Sequence, residues 1–441
     1  MASLRSALAA AIVLAGHSVS AAPITLPTIA DADLQLRLTL VGSVGGPGNV
    51  ASPVPVGDGL LIINQNTGTL RLRAGDGTLS TLLTPATAPA ALTLTGWEGI
   101  LNAAANDAGD TVYVTFTSTT RPLDAPVSTS PRGNDDGYQV VYGYDFDGAS
   151  LSNPQPIRSF EVNTNGHTGG GMVVLSDGSL VLAFGDNGDA FEDGRAFAQD
   201  GVSHLSKLVK LNATTGDATV LAQGIRNVQR LDLATHGGLD YLDFVDIGGN
   251  IVEELNRVLL GDLLDLGSIE NFGWGRNGFD NLAREGTYYI DPSGTATGAA
   301  PLGESGFLQP AAQWSREAPG FFAGSGPISC GLGGIQTLMG DLPTGNVYAT
   351  LDEASVGPQD VYRVSLFDAL LEETTLASLA GGRPDPRFFC FSDGSAGVLL
   401  ERTGDLYRID ELTAEVPEPS SFLLVAAGLA LVRCRRGQTR V

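Results

Sequence analysis

Residues 163–189 read N-T-N-G-H-T-G-G-G-M-V-V-L-S-D-G-S-L-V-L-A-F-G-D-N-G-D and contain the clearest fold signal in the chain. Two apolar runs rich in Val and Leu flank an Asp-Gly turn, a pattern typical of an antiparallel β-hairpin. His167 stands at the entry of the first run and is followed by Gly169, Gly170 and Gly171. Because glycine lets another chain segment approach the backbone closely, we expect His167 at a crowded mouth of the hairpin.

Two interpretations of His167 follow from this position. Free imidazole titrates near neutral pH, with a pKa of about 6.5, so a histidine at a cavity can act as a general base. Alternatively, the residue only caps the entry of a strand. The stretch itself leaves both interpretations open.

The pattern of turn, apolar strand, loop and second apolar strand recurs along the chain. The copies cover residues 58–73, 110–148, 177–212, 239–258, 345–364 and 396–410. Strands dominated by Val, Leu, Tyr and Phe favour antiparallel sheets. Six units predict an all-β fold, a six-bladed β-propeller whose small sheets surround a central channel. Their irregular spacing leaves a β-sandwich or two separate domains as alternatives.

The composition agrees with a turn-rich β-protein. The 441 residues include 58 Gly and 23 Pro, and only 17% are charged. A net charge of −24 argues against nucleic acid as a partner, since phosphate binding needs a basic surface. Lysine is confined to two positions, Lys207 and Lys210.

The N-terminal residues 1–22 have the layout of a secretory signal peptide. Arg5 precedes an apolar run over residues 7–15, and small residues follow at 18–22. We therefore predict that the propeller covers residues 23–412 of an exported protein. In an oxidising compartment Cys330 and Cys390 can form a disulfide, although the sequence leaves their pairing open.

Residues 413–441 form a linker and a second targeting segment. Pro417-Glu418-Pro419 precedes an apolar run over 422–432, and Arg433, Arg435 and Arg436 close it. This layout predicts one short transmembrane helix with its basic end in the cytoplasm. It resembles the PEP-CTERM sorting signal, which implies exosortase as a partner and delivery to the surface, outer membrane or extracellular matrix of a Gram-negative bacterium. An ordinary short tail anchor is the alternative.

Arg226 and Asn227 follow an apolar strand in the sequence G-I-R-N. A guanidinium beside an amide can hold a carboxylate or a quinone oxygen. A salt bridge between blades would explain Arg226 equally well.

Two acidic segments have the hard oxygen ligands that calcium prefers. One runs from Asp246 through Gly248 and Gly249 to residues 253–256, and the other covers residues 186–193. Solvated acidic loops are the alternative interpretation. Between glycines, Trp274 is suited to packing on a ring or to closing a blade.

In this order the motifs resemble the glucose/sorbosone dehydrogenase family. The resemblance covers about residues 96–278. Its motifs are G-W-E-G-I-L (96–101), D-T-V-Y-V-T-F-T (110–117), the histidine–glycine hairpin (163–189), A-Q-D (198–200), S-K-L-V-K (206–210), G-I-R-N (224–227), D-I-G with E-E-L-N (246–256) and N-F-G-W (271–274).

The resemblance implies a six-bladed propeller that oxidises an aldose or a polysaccharide end with pyrroloquinoline quinone (PQQ) and calcium. His167 would take the proton of the sugar C1 hydroxyl. The quinone would contact Arg226, Asn227, Arg383 and Arg387. Backbone oxygens at Gly248 and Gly249 would bind the calcium.

Three differences from the family pattern keep another function open. No lysine follows Lys210, Ile247 stands where sugar-oxidising members place a polar side chain, and G-R-P-D-P-R at 382–387 changes the spacing of the late arginines. The alternative is a non-catalytic propeller at the cell surface that binds glycans or proteins, or that uses its acidic loops for calcium-dependent adhesion. The oligomeric state is not predicted.

Overall fold

The computed structural model describes residues 36–45, 51–94, 99–130, 136–163, 166–188, 197–236, 238–249, 251–275, 283–286, 288–290, 296–299, 306–315, 335–340, 346–351, 361–365, 386–401 and 403–411. The predicted signal peptide and sorting helix, Arg383 and Cys330 lie outside these residues. Within these ranges, no helix has the length and hydropathy needed to cross a membrane.

Five sheets of four or five strands form the blades of an all-β propeller. The chain starts with β1 (Leu36–Ser43), which belongs to the last blade. The first blade contains β2 (Val54–Val56), β3 (Gly59–Asn64), β4 (Thr69–Arg73) and β5 (Leu79–Leu83). The second contains β6 (Ile100–Ala105), β7 (Thr111–Ser118), β8 (Val127–Ser128), β9 (Gly137–Phe146) and β10 (Leu151–Val162).

The third blade is completed by a short strand that comes later in the sequence than three strands of the fourth blade. The third contains β11 (Gly169–Val174), β12 (Leu180–Phe184), β13 (Lys207–Leu211), β14 (Ala218–Gln223) and the later β18 (Glu270–Asn271), with a 3-10 helix at Phe197–Gln199 before β13. The fourth contains β15 (Leu231–His236), β16 (Leu239–Asp246), β17 (Val252–Leu259) and β22 (Ala312–Ser315). The single helical turn α1 (Leu260–Leu264) follows β17.

The fifth blade joins the two ends of the described chain. It contains β26 (Pro386–Cys390), β27 (Ala396–Leu400) and β28 (Asp405–Glu411), and β1 pairs antiparallel with β28 as its outermost strand. Cys390, at the end of β26, is disulfide-bonded.

Two further sheets have three strands each. One consists of β19 (Ala283–Glu285), β20 (Tyr288–Ile290) and β21 (Ala296–Ala299). The other consists of β23 (Ile335–Gly340), β24 (Asn346–Leu351) and β25 (Val361–Ser365).

The predicted propeller is confirmed, but its predicted count of six blades is not, because the described residues form five. Each of the six repeat copies falls on the second and third strands of a sheet. The copy at 345–364 supplies β24 and β25, and in the described ranges that sheet stops at three strands. Apolar periodicity identifies the buried middle strands of a sheet, whereas a fourth, outer strand is half exposed and leaves a weaker pattern.

The core lies between neighbouring blades. Strand β3 (G-L-L-I-I-N) and strand β12 (L-V-L-A-F) are buried along their whole length, because blades cover both of their faces. The first strands of the blades contact one another around the axis: β2 contacts β6 and β26, and β11 contacts β6 and β15. The strands β2, β6, β11 and β15 also line a cavity of about 220 Å³, as expected for the channel of a propeller.

Lys207 is buried within the third blade, where its ammonium group bonds to three backbone carbonyls. Its Nζ donates to the carbonyl oxygens of Phe197, Ala198 and Leu205 at 2.6, 3.1 and 2.9 Å. Burial lowers the pKa of Lys207 to about 7, but three acceptors match the three N–H groups that only the charged form has. Lys207 is therefore a structural cation of this blade.

Four carboxylates are buried around the loop that follows β16: Asp246, Glu253, Glu254 and Glu285. Burial and the neighbouring charge of Asp246 raise the pKa of Glu254 to about 8, and burial raises the pKa of Asp246 as well. Because Asp246 accepts two backbone N–H groups, which favour its ionised form, we place the shared proton on Glu254.

Substitution of each of the two lysines tests how much the buried ammonium group of Lys207 stabilises the fold. We expect Lys207→Met to lower the free energy of unfolding by at least about 2 kcal/mol, because it leaves buried carbonyls without their donor. Lys210→Met, which breaks a half-exposed pair with Asp177, should cost less than about 1 kcal/mol. Urea denaturation of both variants measures the difference. Equal losses would show that Lys207 is not needed in the blade.

Glu254 predicts a pH dependence of stability. Its raised pKa means that the folded chain holds a proton that the unfolded chain releases, so this contribution is complete below about pH 4 and is lost as the pH rises through about 8. Glu254→Gln should therefore reduce the fall in unfolding free energy between about pH 6 and about pH 9. The exposed Asp262→Asn is the control and should leave the slope unchanged. A Glu254→Gln slope equal to that of the wild type would contradict the assignment.

Candidate active site

The hairpin of β11 and β12 brings His167 beside Asp186. Gly169 pairs with Phe184, so the residues just before β11 lie next to those just after β12. The backbone N–H of Asn187 donates to the carbonyl of His167 at 3.2 Å, and Nδ1 of His167 lies 2.8 Å from Oδ1 of Asp186. His167 has a φ of 49°, in the left-handed region that non-glycine residues adopt only when their surroundings fix it.

Two glycines after His167 are closely approached, as the sequence predicted. A Cβ on Gly169 would lie 2.6 Å from the carbonyl oxygen of Ala183, and one on Gly170 would lie 2.7 Å from the Cβ of Leu101. Both residues also have positive φ values of 75° and 101°. Side chains here would push the His167 segment away from its neighbours.

Asp186 is a buried carboxylate with three donors around it. Oδ1 accepts from His167 Nδ1 and from the N–H of Gly188 at 2.8 Å, and Oδ2 accepts from Trp274 Nε1 at 3.0 Å. Burial raises the pKa of Asp186, but the hydrogen bond from His167 and the charge of Arg226 outweigh burial and hold it below its usual value. Asp186 is therefore an anion that orients the imidazole.

Arg226 faces the other ring nitrogen of His167. Its Nη2 lies 3.2 Å from His167 Nε2, and its Nη1 donates to the carbonyl oxygens of Ile247 and Gly248, both at 2.8 Å. The guanidinium carbon lies 5.4 Å from the centroid of the Trp274 ring. The guanidinium thus connects the histidine to the loop after β16.

These two neighbours fix the tautomer of His167. A guanidinium has donors but no acceptor, so Nε2 of His167 must accept from Arg226. Nδ1 then carries the proton and donates it to the anionic Asp186. The result is a neutral imidazole whose basic nitrogen, Nε2, is on the Arg226 side, and His167 is 32% exposed.

Asp246 positions Arg226 and Asn227. Its two oxygens accept the backbone N–H groups of Arg226 at 2.8 Å and Asn227 at 2.7 Å. The side-chain oxygen of Asn227 in turn accepts from the N–H of Gly169 at 3.2 Å. Three blade loops are therefore connected by direct hydrogen bonds.

The loop after β16 is shaped by two further carboxylates. Glu253 Oε2 accepts from the N–H of Gly248 at 3.0 Å, and Glu285 Oε1 accepts from Ile251 and Val252 at 2.6 and 2.8 Å. A Cβ on Gly248 would come within 1.6 Å of the Val252 carbonyl oxygen, so this position requires glycine.

A cavity of about 290 Å³ opens beside these groups, close to the lower end of the range of about 300–1,000 Å³ for small-molecule sites. It combines apolar walls with amide, hydroxyl, imidazole and guanidinium groups. The described lining residues are Gln65, Leu101, His167, Thr168, Gly169, Arg226, Asn227, Gln229, Ile247 and Gly249.

Most of the predicted site residues meet at this cavity. His167, Arg226, Asn227 and Gly249 line it, and Gly248 contributes the carbonyl that accepts from Arg226. Arg387 does not belong to the described lining: it lies on β26, and its Nη2 donates to Glu401 at 2.6 Å. Arg383 lies outside the described residues, so its predicted role stays a prediction.

The acidic residues have structural roles that the sequence does not reveal. The sequence pattern places Asp186 and Asp246 in calcium-binding segments, but they accept from His167 and from the Arg226–Asn227 backbone. Trp274 was predicted to pack on a ring or close a blade. In the structure its Nε1 donates to Asp186 and its ring lies against the guanidinium of Arg226. The hairpin register could have identified Asp186, since it aligns the residues that flank paired strands. The sequence has no comparable signal for Trp274, which is 88 residues from Asp186.

The donor set fits the quinone that the resemblance implies better than it fits calcium. A guanidinium, amides and a hydroxyl can donate to quinone and carboxylate oxygens, and Leu101 and Ile247 can contact an aromatic plane. Calcium takes about six to eight oxygen ligands. The described lining contains no carboxylate, and no three His, Cys, Asp or Glu residues come together as a metal site in the described ranges. The carbonyl of Gly248, predicted for calcium, faces Arg226 instead, so calcium does not fit the site as it stands.

Comparison with solved structures gives the same fold. An aldose sugar dehydrogenase from Streptomyces coelicolor in its PQQ-bound form shares 18% identity at a TM-score of 0.57, over 85% of this chain and 98% of that one. A putative oxidoreductase (glucose dehydrogenase) from Thermus thermophilus shares 18% identity at a TM-score of 0.57, over 85% and 99%. A further glucose dehydrogenase shares 21% at 0.55, over 86% and 99%. No curated protein matches the chain.

Two family descriptions match the sequence. The PEP-CTERM protein-sorting motif matches residues 415–436, the segment predicted as a sorting signal. The glucose/sorbosone dehydrogenase description matches residues 52–316, which is more than half of the chain. The chain therefore belongs to the glucose/sorbosone dehydrogenase family and carries a PEP-CTERM motif at its C-terminal end.

Proposed function

We propose that this protein is a sugar dehydrogenase that oxidises an aldose, or the reducing end of a polysaccharide, with PQQ as its oxidant. The observation that carries the proposal is the line of groups Asp186–His167–Arg226 at the wall of the cavity. It holds a neutral imidazole with its basic nitrogen at the cavity, the arrangement that a general base requires.

His167 would accept the proton of the sugar C1 hydroxyl at Nε2. For this the sugar hydroxyl replaces Arg226 Nη2 as the hydrogen-bond partner of Nε2. The imidazolium that forms is stabilised by the buried charge of Asp186, which accepts from Nδ1 throughout. PQQ, when bound, supplies the two-electron oxidising power that amino-acid side chains lack.

Other cavity residues would bind and orient the two ligands. Arg226 and Asn227, whose backbone Asp246 holds, would bind an anionic or quinone oxygen. Leu101 and Ile247 would cover an aromatic plane and keep water away from the base. Gln65, Thr168 and Gln229 offer donors and acceptors for sugar hydroxyls.

The PEP-CTERM motif supports a proposal on location. We infer that the chain is exported, sorted by an exosortase-type partner at the inner membrane and displayed at the surface of a Gram-negative bacterium. Surface polysaccharide would then be within reach of the cavity.

A quinone titration tests the assignment. The purified protein, without added quinone, is titrated with PQQ by calorimetry, and the loaded protein is assayed with aldoses and an artificial electron acceptor. We expect one quinone per chain and sugar-dependent acceptor reduction. His167→Ala should retain quinone binding and lose turnover, whereas His204→Gln, at a core histidine that contacts Glu161 and not the cavity, controls for general effects on folding. Failure of the wild type to bind quinone would leave a propeller that binds glycans or proteins.

The role of Asp186 gives a second prediction. Asp186→Asn keeps the shape of the side chain but removes the anion that fixes the tautomer of His167, so we expect kcat to fall by about 10²–10⁴-fold. Asp177→Asn, in the turn at the other end of the same hairpin, is the matched control and should change kcat less than about twofold. Steady-state kinetics with a saturating aldose measures both. Equal rates for wild type and Asp186→Asn would remove Asp186 from the mechanism.

A further inference from the structure

The carbonyl oxygens of Ile247 and Gly248 point at one atom, Nη1 of Arg226. Both distances are 2.8 Å, so the two N–H groups of Nη1 each have a carbonyl acceptor. The family resemblance assigns a calcium ion to the backbone oxygens of this loop. In this chain a permanently charged side chain already bonds to one of the assigned oxygens, that of Gly248, and to the adjacent oxygen of Ile247.

A guanidinium and a calcium ion cannot share these carbonyls. Calcium binds oxygen at about 2.3–2.6 Å, and an ion at that distance from both oxygens, on the side that they turn toward Arg226, would overlap with Nη1. Two positive charges in contact inside a cavity would also repel each other strongly. Arg226 would have to leave before an ion could enter.

Further contacts oppose that movement. The backbone N–H of Arg226 is held by Asp246, its Nη2 contacts His167, and its guanidinium stacks over Trp274, in addition to the two carbonyl bonds. Asp186, at 3.0 Å from Trp274 Nε1, adds a buried negative charge nearby. The negative charge attracts a cation of either kind, and the contacts of Arg226 with Asp246, His167 and Trp274 keep the guanidinium in this position.

We propose that Arg226 is the resident cation of this site and takes the place of calcium, so that the protein binds its quinone without a divalent cation. The part of this proposal that concerns the quinone rests on the proposed function. The part that concerns the carbonyls does not, and it can be tested with a metal ion alone.

Terbium luminescence tests the carbonyls directly. Tb³⁺ has the ligand preferences of Ca²⁺ and emits when a nearby tryptophan is excited. Trp274 borders the loop, since a Cβ on Gly249 would lie 3.0 Å from its ring. The chain has three tryptophans, and each could excite a bound ion. The terbium emission of this site is therefore the fraction of the total emission that Trp274→Phe removes. Wild-type protein should show no Trp274-dependent terbium emission.

The variant Arg226→Met removes the cation and leaves the carbonyls. We expect it to gain a Trp274-dependent terbium signal of at least about fivefold over wild type, which Ca²⁺ displaces, because the two carbonyls lose their guanidinium donor and can bind the ion. Arg226→Lys keeps a cation and should gain none. Arg408→Met removes one positive charge from an exposed pair with Asp393 and controls for the general attraction of cations to an acidic protein.

A second experiment measures whether quinone binding depends on calcium. Wild-type protein should bind PQQ in EDTA and in CaCl₂ with dissociation constants that agree within about threefold, whereas Arg226→Met should bind it only with calcium. A Trp274-dependent, calcium-displaceable terbium signal in wild type would overturn the proposal, as would a strict calcium requirement for wild-type quinone binding or the absence of any gain in Arg226→Met. If Arg226→Met does not fold, the wild-type terbium result decides alone. No quinone binding under either condition would overturn the proposed function but not the assignment of the carbonyls.

Discussion

The hydrogen bond between Asp186 and His167 decides what the cavity can do. The carboxylate is buried and accepts from three donors, and it therefore remains an anion that holds the proton of the imidazole on Nδ1. The opposite nitrogen is left as an acceptor on the Arg226 side. Without Asp186, Nδ1 would lose its anionic acceptor, and an imidazole held only by the 3.2 Å contact of Nε2 with Arg226 could turn and exchange its tautomer.

The propeller makes this pair possible because its loops meet at one end of the channel. The start of β11, the end of β12, the loop before β15 and the loop after β16 come from two neighbouring blades. Backbone hydrogen bonds connect them, from Asn187 to His167, from Asp186 to Arg226 and from Ile247 to Asn227. Each functional side chain therefore lies on a segment fixed on two sides, which favours a preorganised site.

The sequence predicted local features better than long-range contacts. The hairpin around residues 169–184, the repeat of paired strands and the choice of His167, Arg226 and Asn227 as candidate site residues all follow from patterns within short windows. The blade count did not, because the copy at 345–364 belongs to a sheet that has only three strands within the described residues. The roles of Asp186, Asp246 and Trp274 depend on which loops meet at the end of the channel, and one sequence does not show that. The carbonyl of Gly248, predicted as a calcium ligand, accepts instead from Arg226, a side chain of the preceding loop.

The tautomer of His167 provides the most direct test of this mechanism. Nitrogen-15 NMR of the imidazole groups in the full-length chain at about pH 8, where a free imidazole is neutral, reports which ring nitrogen carries the proton. The His167 resonances are identified by their loss in His167→Ala. We predict a neutral ring with the proton on Nδ1 and an unprotonated Nε2, and a loss of this preference in Asp186→Asn. A ring with its proton on Nε2, or one unaffected by Asp186→Asn, would contradict the proposed role of the pair.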